Sequence, residues 1–296
     1  MIILILIIAC IPVYNEERII SNVIHRAKKY VDKVIVCDDG STDNTYTIAK
    51  QAGAEIIQHQ KNFGKGAAMK SLFTYAKQIE ADIIITIDGD GQFSPEDIPK
   101  FLDAMKENNS DIVIGYRFDD KTEMPSYRKI GNKLLDRVTN IAADLPVRDT
   151  QSGFRAYSKK ALNLINFTTD GFGADSEILI NAAKKGLKIS EVKVNVIYNT
   201  GGRTSTKNPV SHFTIVITSI IEQIALNHPL KYLGIPGIIF LILGVVYSII
   251  FISIFNDTRY FSIPTTLVAL GSLMTGLMLL LMSVVLFAIG RSLSRT

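Results

Sequence analysis

The stretch "TIDGDGQFSPED" (residues 86–97) follows the apolar run Ile83-Ile84-Ile85 and puts Asp88 and Asp90 two positions apart on a glycine-rich turn. The run reads as a buried strand, so the acidic turn leaves the sheet at that strand's carboxyl end. Apolar runs at 2–11 and 34–37 end the same way, in "IPVYNEE" (11–17) and "CDDGSTD" (37–43). Further runs lie at 54–57 and 111–114, and helical patterns intervene at 16–29, 43–52, 65–80 and 95–107. Strand and helix in alternation predict an α/β domain with a doubly wound, mostly parallel sheet covered by helices on both faces. Ligands of such sheets bind beyond the carboxyl ends of the strands, where all three polar segments fall.

A second block, 116–208, mixes a helical pattern near 127–143, the segment "DTQSGFRAYSK" (149–159), a helix near 174–186 and the alternating run "LKISEVKVNVIY" (187–198). The loop "NTGGRTSTKNP" (199–209) follows. This block reads as an acceptor-side elaboration of the same domain, which therefore spans 1–208. Residues 209–228 carry Phe213, Val216, Ile217, Ile220, Ile221 and Ile224 at helical spacing, opposite His212, Glu222 and Asn227. They predict an amphipathic helix lying at a bilayer interface. Residues 229–296 form a membrane domain, with apolar runs at about 233–255 and 261–290 that are long enough to cross. Lys231, Arg291 and Arg295 flank the runs, against Arg259 between them, which places both ends and the catalytic domain on the cytoplasmic side of the cell membrane.

The chain has 296 residues and a formal charge of +4, of which the tail from residue 229 carries +3. The remaining +1 is no electrostatic footprint for nucleic acid. Cys10 and Cys37 sit at the ends of apolar runs and read as buried, reduced thiols. The opening run lacks a positive segment before it and is too short to span, so it reads as a strand and not a signal peptide.

Asp88, Asp90 and Gln92 offer several hard oxygens on one short loop. Mg2+ or Mn2+ takes only one or two protein carboxylates and fills its shell with water and substrate phosphates, so the loop suits a metal bridging a diphosphate. A solvated corner is the alternative reading of the same residues. Tyr14 is placed to stack on a base and Asp39 to accept from a base N–H. Ser41, Thr42 or Asp43 is expected to cap the helix after "DDGSTD", and Ser94 the helix that opens at Pro95. "NFGKGAAMKS" (62–71) lacks the spacing of a Walker loop, and its glycines are expected to let a helix start near a nucleotide.

Taken in order, "IPVYNEE", "DDGSTD", "NFGKGAA", "DGDGQ" and "QSGFRAYSK" resemble the family 2 glycosyltransferases, and among them the polyprenyl-phosphate sugar synthases of the dolichyl-phosphate mannose synthase kind. The resemblance implies a GT-A fold and inverting transfer of a sugar from a GDP- or UDP-linked donor to dolichyl or undecaprenyl phosphate. It implies that Pro12, Tyr14, Glu16 and Asp39 hold the nucleotide, and that Asp88, Gly89, Asp90 and Gln92 hold diphosphate and metal. Arg117 would meet substrate phosphate, with Arg128, Arg203 and Lys207 as further acceptor-phosphate candidates. Asp149 would orient the acceptor or an arginine, a structural partnership with Arg148 or Arg155 being the alternative. Asp175 and Glu177 are secondary candidates for an acid near the acceptor.

Two other functions share these features. A hydroxyl-directed polysaccharide synthase would keep the fold, but such enzymes usually show a Q-x-x-R-W segment and this chain has no tryptophan. A non-catalytic membrane protein retaining the fold would have no need of the acidic turns. Homo-oligomerisation is left open.

Overall fold

The computed structural model describes residues 5–117, 136, 137, 139, 140, 143, 145–169, 173–197 and 229–293. Arg128, Arg203, Lys207 and the amphipathic helix expected at 209–228 lie outside the described residues. The chain divides into two compact units, 1–220 and 221–296.

Among the described residues of the first unit, seven strands form one sheet: β1 (Ile7–Val13), β2 (Lys33–Asp38), β3 (Glu55–Gln58), β4 (Ile83–Thr86), β5 (Ile112–Tyr116), β6 (Arg155–Ser158) and β7 (Ile189–Lys193). Their order is β3-β2-β1-β4-β6-β5-β7. All neighbours run parallel except β6, which is antiparallel to both β4 and β5. Helices α1 (Ile20–Ala27), α2 (Thr45–Gln51), α3 (Lys65–Gln78), α4 (Ile98–Glu107), α5 (Lys159–Leu164) and α6 (Ala174–Lys184) accompany them.

The two-residue period of the strands divides the core into two layers. Ile8, Cys10, Ile35 and Cys37 pack on one face with Ala68, Leu72 and Ala76 of α3 and Ile178 of α6. Ala9, Ile11, Val34 and Val36 pack on the other with Ile20, Val23 and Ile24 of α1 and Phe101 of α4. Burial of each such large aliphatic side chain contributes about 1.5–3 kcal/mol. Strands buried on both faces explain why the runs are continuously apolar. The cysteines are buried and free, and burial, followed by the charges of Asp39 and Asp38, pushes the Cys37 thiol to about 12.

The strand order reverses between β1 and β4, so their carboxyl ends open a crevice where ligands of such sheets bind. The block expected as an elaboration instead supplies a central strand. "RAYS" (155–158) inserts between β4 and β5, and the strand was missed because four residues beginning with a charged one show no readable apolar period. Being antiparallel, β6 begins at the edge where β4 and β5 end, pairing Arg155 with Thr86 and Ile114. "QSG" is thereby delivered to the crevice.

Neither capping expectation holds. The cap position of α2 is Asn44, which makes no side-chain cap, while Asp43 just before it accepts from the backbone N of Thr45 at 3.0 Å. Ser94 makes no side-chain cap: its hydroxyl accepts from Arg26 at 2.8 Å and donates to Glu96, which itself pairs with Arg26. Pro95 does open the following turn.

In the second unit, a π-helical turn (Leu230–Gly234) leads into α7 (Ile235–Thr258), and α8 (Ile263–Leu293) follows. Both helices are long and apolar enough to cross a membrane. Small residues set their approach, since a Cβ on Gly276 would stand 2.7 Å from the backbone N of Leu241. Arg259, at φ 58°, closes α7 by donating its N–H to the Phe255 carbonyl.

Candidate active site

The acidic turn is built by the end of β4. Ile87 extends the pairing with β1 by one bond, its N–H donating to the Cys10 carbonyl at 3.1 Å, and Asp88-Gly89-Asp90 then turns away. Gly89 permits this, because a Cβ there would meet Val13 Cγ2 at 3.0 Å and the Pro12 carbonyl oxygen at 3.2 Å. Asp90 Oδ1 accepts from the Gln92 backbone N–H at 3.0 Å, which holds the turn closed. Burial, then the charge of Asp88, raises the Asp90 carboxyl to about 6.

Asp88 has a cation partner that the sequence reading overlooked. Lys65 Nζ, at the first position of α3, lies 2.9 Å from Asp88 Oδ1 and 3.0 Å from Asp175 Oδ2. Burial opposes the Lys65 charge, but Asp175 and Asp88 outweigh it and lift its pKa above the ordinary lysine range. Gly153 closes the far side: a Cβ there would stand 2.2 Å from Asp88 Oδ2. Asp175 therefore meets the acidic turn through Lys65. The Glu177 carboxylate accepts instead from the backbone N–H groups of Thr168 and Thr169 at 2.9 and 2.8 Å.

Arg117 emerges from the end of β5. Asp149 Oδ2 accepts from its Nε at 2.7 Å and from its backbone N at 3.2 Å, while Oδ1 accepts from Nη2 at 2.9 Å. A fully buried carboxylate thus grips the guanidinium bidentately. The partner of Asp149 is Arg117, neither Arg148, which pairs with Glu191, nor Arg155, whose Nε and Nη2 donate to the carbonyls of Ser152 and Thr150. The Arg117 guanidinium lies 5.8 Å from the centre of the Phe93 ring. Behind Asp149, burial and then the Asp149 charge raise Asp136 to about 7. Asp136 accepts from the backbone N and the hydroxyl of Thr150 at 2.8 and 2.7 Å.

The ends of β1 and β2 form the other half of the crevice. Pro12 is buried in β1, and Tyr14 just beyond it is 43 % exposed. The backbone N of Glu16 donates to Thr45 Oγ1 at 2.8 Å, tying this loop to the start of α2. Asp39 is nearly buried, and its own N–H donates to the Val13 carbonyl at 2.9 Å. Its carboxylate accepts from the backbone N–H groups of Phe63 and Gly64 and from His59 Nδ1.

The fold thus gathers Pro12, Tyr14, Glu16, Asp39, Asp88, Gly89, Asp90, Gln92, Arg117 and Asp149 at the carboxyl edge of one sheet. Lys65, Gly153 and His59 join them without having been singled out. Lys65 and Gly153 stand inside "NFGKGAA" and "QSGFR", so the motifs themselves were the available signal. Among the described residues no three His, Cys, Asp or Glu side chains gather as a metal cage. The small dications bound through phosphates do not need one.

A mostly parallel sheet of this order, with an acidic turn after its fourth strand, has the GT-A architecture. The chain belongs to glycosyl transferase family 2, which residues 8–165 match. It is 35 % identical over 216 residues to the UDP-N-acetylglucosamine–dolichyl-phosphate N-acetylglucosaminyltransferase of Methanococcus voltae, covering 65 % of this chain and 86 % of that one. It is 32 % identical over 230 residues to glycosyltransferase AglJ of Haloferax volcanii, covering 76 % and 74 %. Glucosyl-3-phosphoglycerate synthase of Mycobacterium tuberculosis, solved with Mn2+ and UDP-glucose, shares the fold with a TM-score of 0.61 at 22 % identity, over 74 % of this chain and 79 % of that one.

Proposed function

We propose that this enzyme transfers a sugar, with inversion, from a nucleotide diphosphate sugar to a polyprenyl phosphate at the cytoplasmic face of a membrane. The observation that carries the reading is the carboxylate pair Asp88 and Asp90, in which burial and the neighbouring charge raise Asp90 to about 6. A buried carboxylate whose charge is disfavoured by a second carboxylate beside it, at a sheet edge, suits a hard dication. Asp88 and Asp90, with Gln92, would hold Mg2+ or Mn2+, which when bound offsets the charge that builds on a departing diphosphate.

The chain's own residues do the rest. Pro12, Tyr14, Glu16 and Asp39 orient the nucleotide. Arg117, held by Asp149, presents fixed positive charge to phosphate, and a group already gripped needs no reorganisation when the reaction proceeds. An acceptor that is a phosphate anion is a ready nucleophile, so no strong general base is required. The two apolar helices keep the domain where a lipid acceptor resides, and Arg128, Arg203 and Lys207 are candidates to meet its phosphate. The name of the Methanococcus voltae relative supports both the class of donor and the acceptor.

The test is transfer from radiolabelled UDP-N-acetylglucosamine, UDP-glucose and GDP-mannose in membranes holding the full chain, with and without added polyprenyl phosphate. Label entering an organic extract only when the lipid phosphate and a divalent cation are present supports the reading. Label entering a polymer, independent of the lipid, overturns it.

A further inference from the structure

We infer that the donor nucleotide carries uracil and not guanine, and that His59 sets this choice by filling one side of the Asp39 carboxylate. The inference rests on the reading of Asp39 as the group that meets the base.

A carboxylate has about four lone-pair sites, two on each oxygen. Asp39 Oδ1 already takes two donors, the Phe63 backbone N–H at 3.0 Å and His59 Nδ1 at 2.7 Å. Oδ2 takes the Gly64 N–H at 2.7 Å. One acceptor site remains, on Oδ2. Guanine presents N1–H and an N2–H side by side, a pair that a carboxylate answers with both oxygens. Uracil presents a single N3–H between two carbonyl oxygens. The one open site fits the uracil imide, whereas guanine would leave a donor unanswered by the nearly buried carboxylate. Cytosine can answer the open site with its N4–H2 only by setting its N3 acceptor beside the carboxylate, where like partial charge weakens the fit.

The three resident donors are fixed. Gly40, at φ +71°, lets the loop approach so closely that a Cβ would strike the Lys61 backbone at 2.4 Å, which presses residues 61–64 against Asp39. The His59 side chain is 13 % exposed, and its Nε2 lies 2.8 Å from Ser71 Oγ on α3. A carboxylate only accepts, so Nδ1 carries the proton, and the ring of Phe63 meets the imidazole edge-on with centroids 5.5 Å apart. Guanine could not claim Oδ1 without expelling this ring from its packing.

The experiment is calorimetric titration of the full chain in detergent with Mn2+, using UDP, GDP and CDP as ligands. UDP should bind about ten- to a hundred-fold tighter than GDP, the range set by one unanswered buried donor, and CDP should also bind weakly. His59→Phe vacates a site on Oδ1 and should contract the UDP-to-GDP ratio by about tenfold. If that variant does not fold, Ser71→Ala loosens the ring without touching Asp39 and should contract the ratio in the same direction. Equal or tighter binding of GDP by the unaltered chain overturns the uracil inference and leaves the nucleotide-sugar reading standing. An unchanged ratio in the folded variants removes His59 from it. Binding of none of the three nucleotides overturns both.

Discussion

Replacing Lys65 by Met keeps most of the aliphatic stem and deletes the charge between Asp88 and Asp175. Asp175, whose side chain is 6 % exposed, would keep, among the described residues, Arg155 at 4.0 Å as its nearby cation. Asp88 is 27 % exposed and can regain water. Breaking a buried ion pair costs about 3–5 kcal/mol, and the solvated share of Asp88 reduces this to about 2–3 kcal/mol. In a unit of this size each kcal/mol lowers the melting temperature by about 2–4 °C, so the variant should melt about 5–10 °C early. Mn2+ no longer competes with an ammonium for Asp88 and should stabilise the variant more than the unaltered chain. The chain has no tryptophan, so melting of the full chain in detergent is followed by far-ultraviolet circular dichroism. A variant that melts with the unaltered chain would refute the placing of Lys65 as the buried counter-charge.

Three other substitutions probe the same edge. Asp90→Asn should abolish transfer yet leave the domain folded, and slightly more stable above the Asp90 value of about 6, because it removes a charge that burial and Asp88 disfavour; full transfer by this variant sinks the metal assignment. Asp136 is raised to about 7, so its contribution to stability is present at low pH and is lost as the pH rises through that value. Asp136→Asn should therefore raise the melting temperature at pH about 8 far more than at pH about 5, with a ceiling of about 4 kcal/mol for a shift of about three units, and an equal effect at both counts against the buried Asp136–Asp149 repulsion. Gly153→Ala would set a methyl group 2.2 Å from Asp88 Oδ2, so the carboxylate must move. Overpacking of this kind costs about 1–3 kcal/mol, and transfer should fall further than stability does. Wild-type transfer from the folded variant would show that Asp88 need not stay where it is.

Much of the fold was legible because its cues are local. β1, β2, β4 and β5 are buried on both faces, which writes them as unbroken apolar runs. α1 buries Ile20, Val23, Ile24 and Ala27, one helical stripe visible at any distance from its partners. β6 escaped because it is short and carries Arg155, a buried guanidinium whose cost is met by carbonyls that its own position cannot reveal. Glu177 was a plausible acid by its place in the first turn of α6, and its actual partners are the backbone of an adjacent loop. Ser94 had the residue type and position of a cap, and Arg26 took its hydroxyl instead.

By itself the sequence determined the α/β alternation, the acidic turn after the fourth strand and the apolar tail, since each is set by the period or composition of a few neighbouring residues. Only the tertiary structure decided which charges meet. Lys65 and Asp175 stand 110 positions apart, Arg117 and Asp149 32, and His59 and Asp39 20. Ion pairs and hydrogen bonds act over a few ångströms, and what brings those atoms within reach is the order of the strands and the reversed direction of β6, which no spacing along the chain encodes.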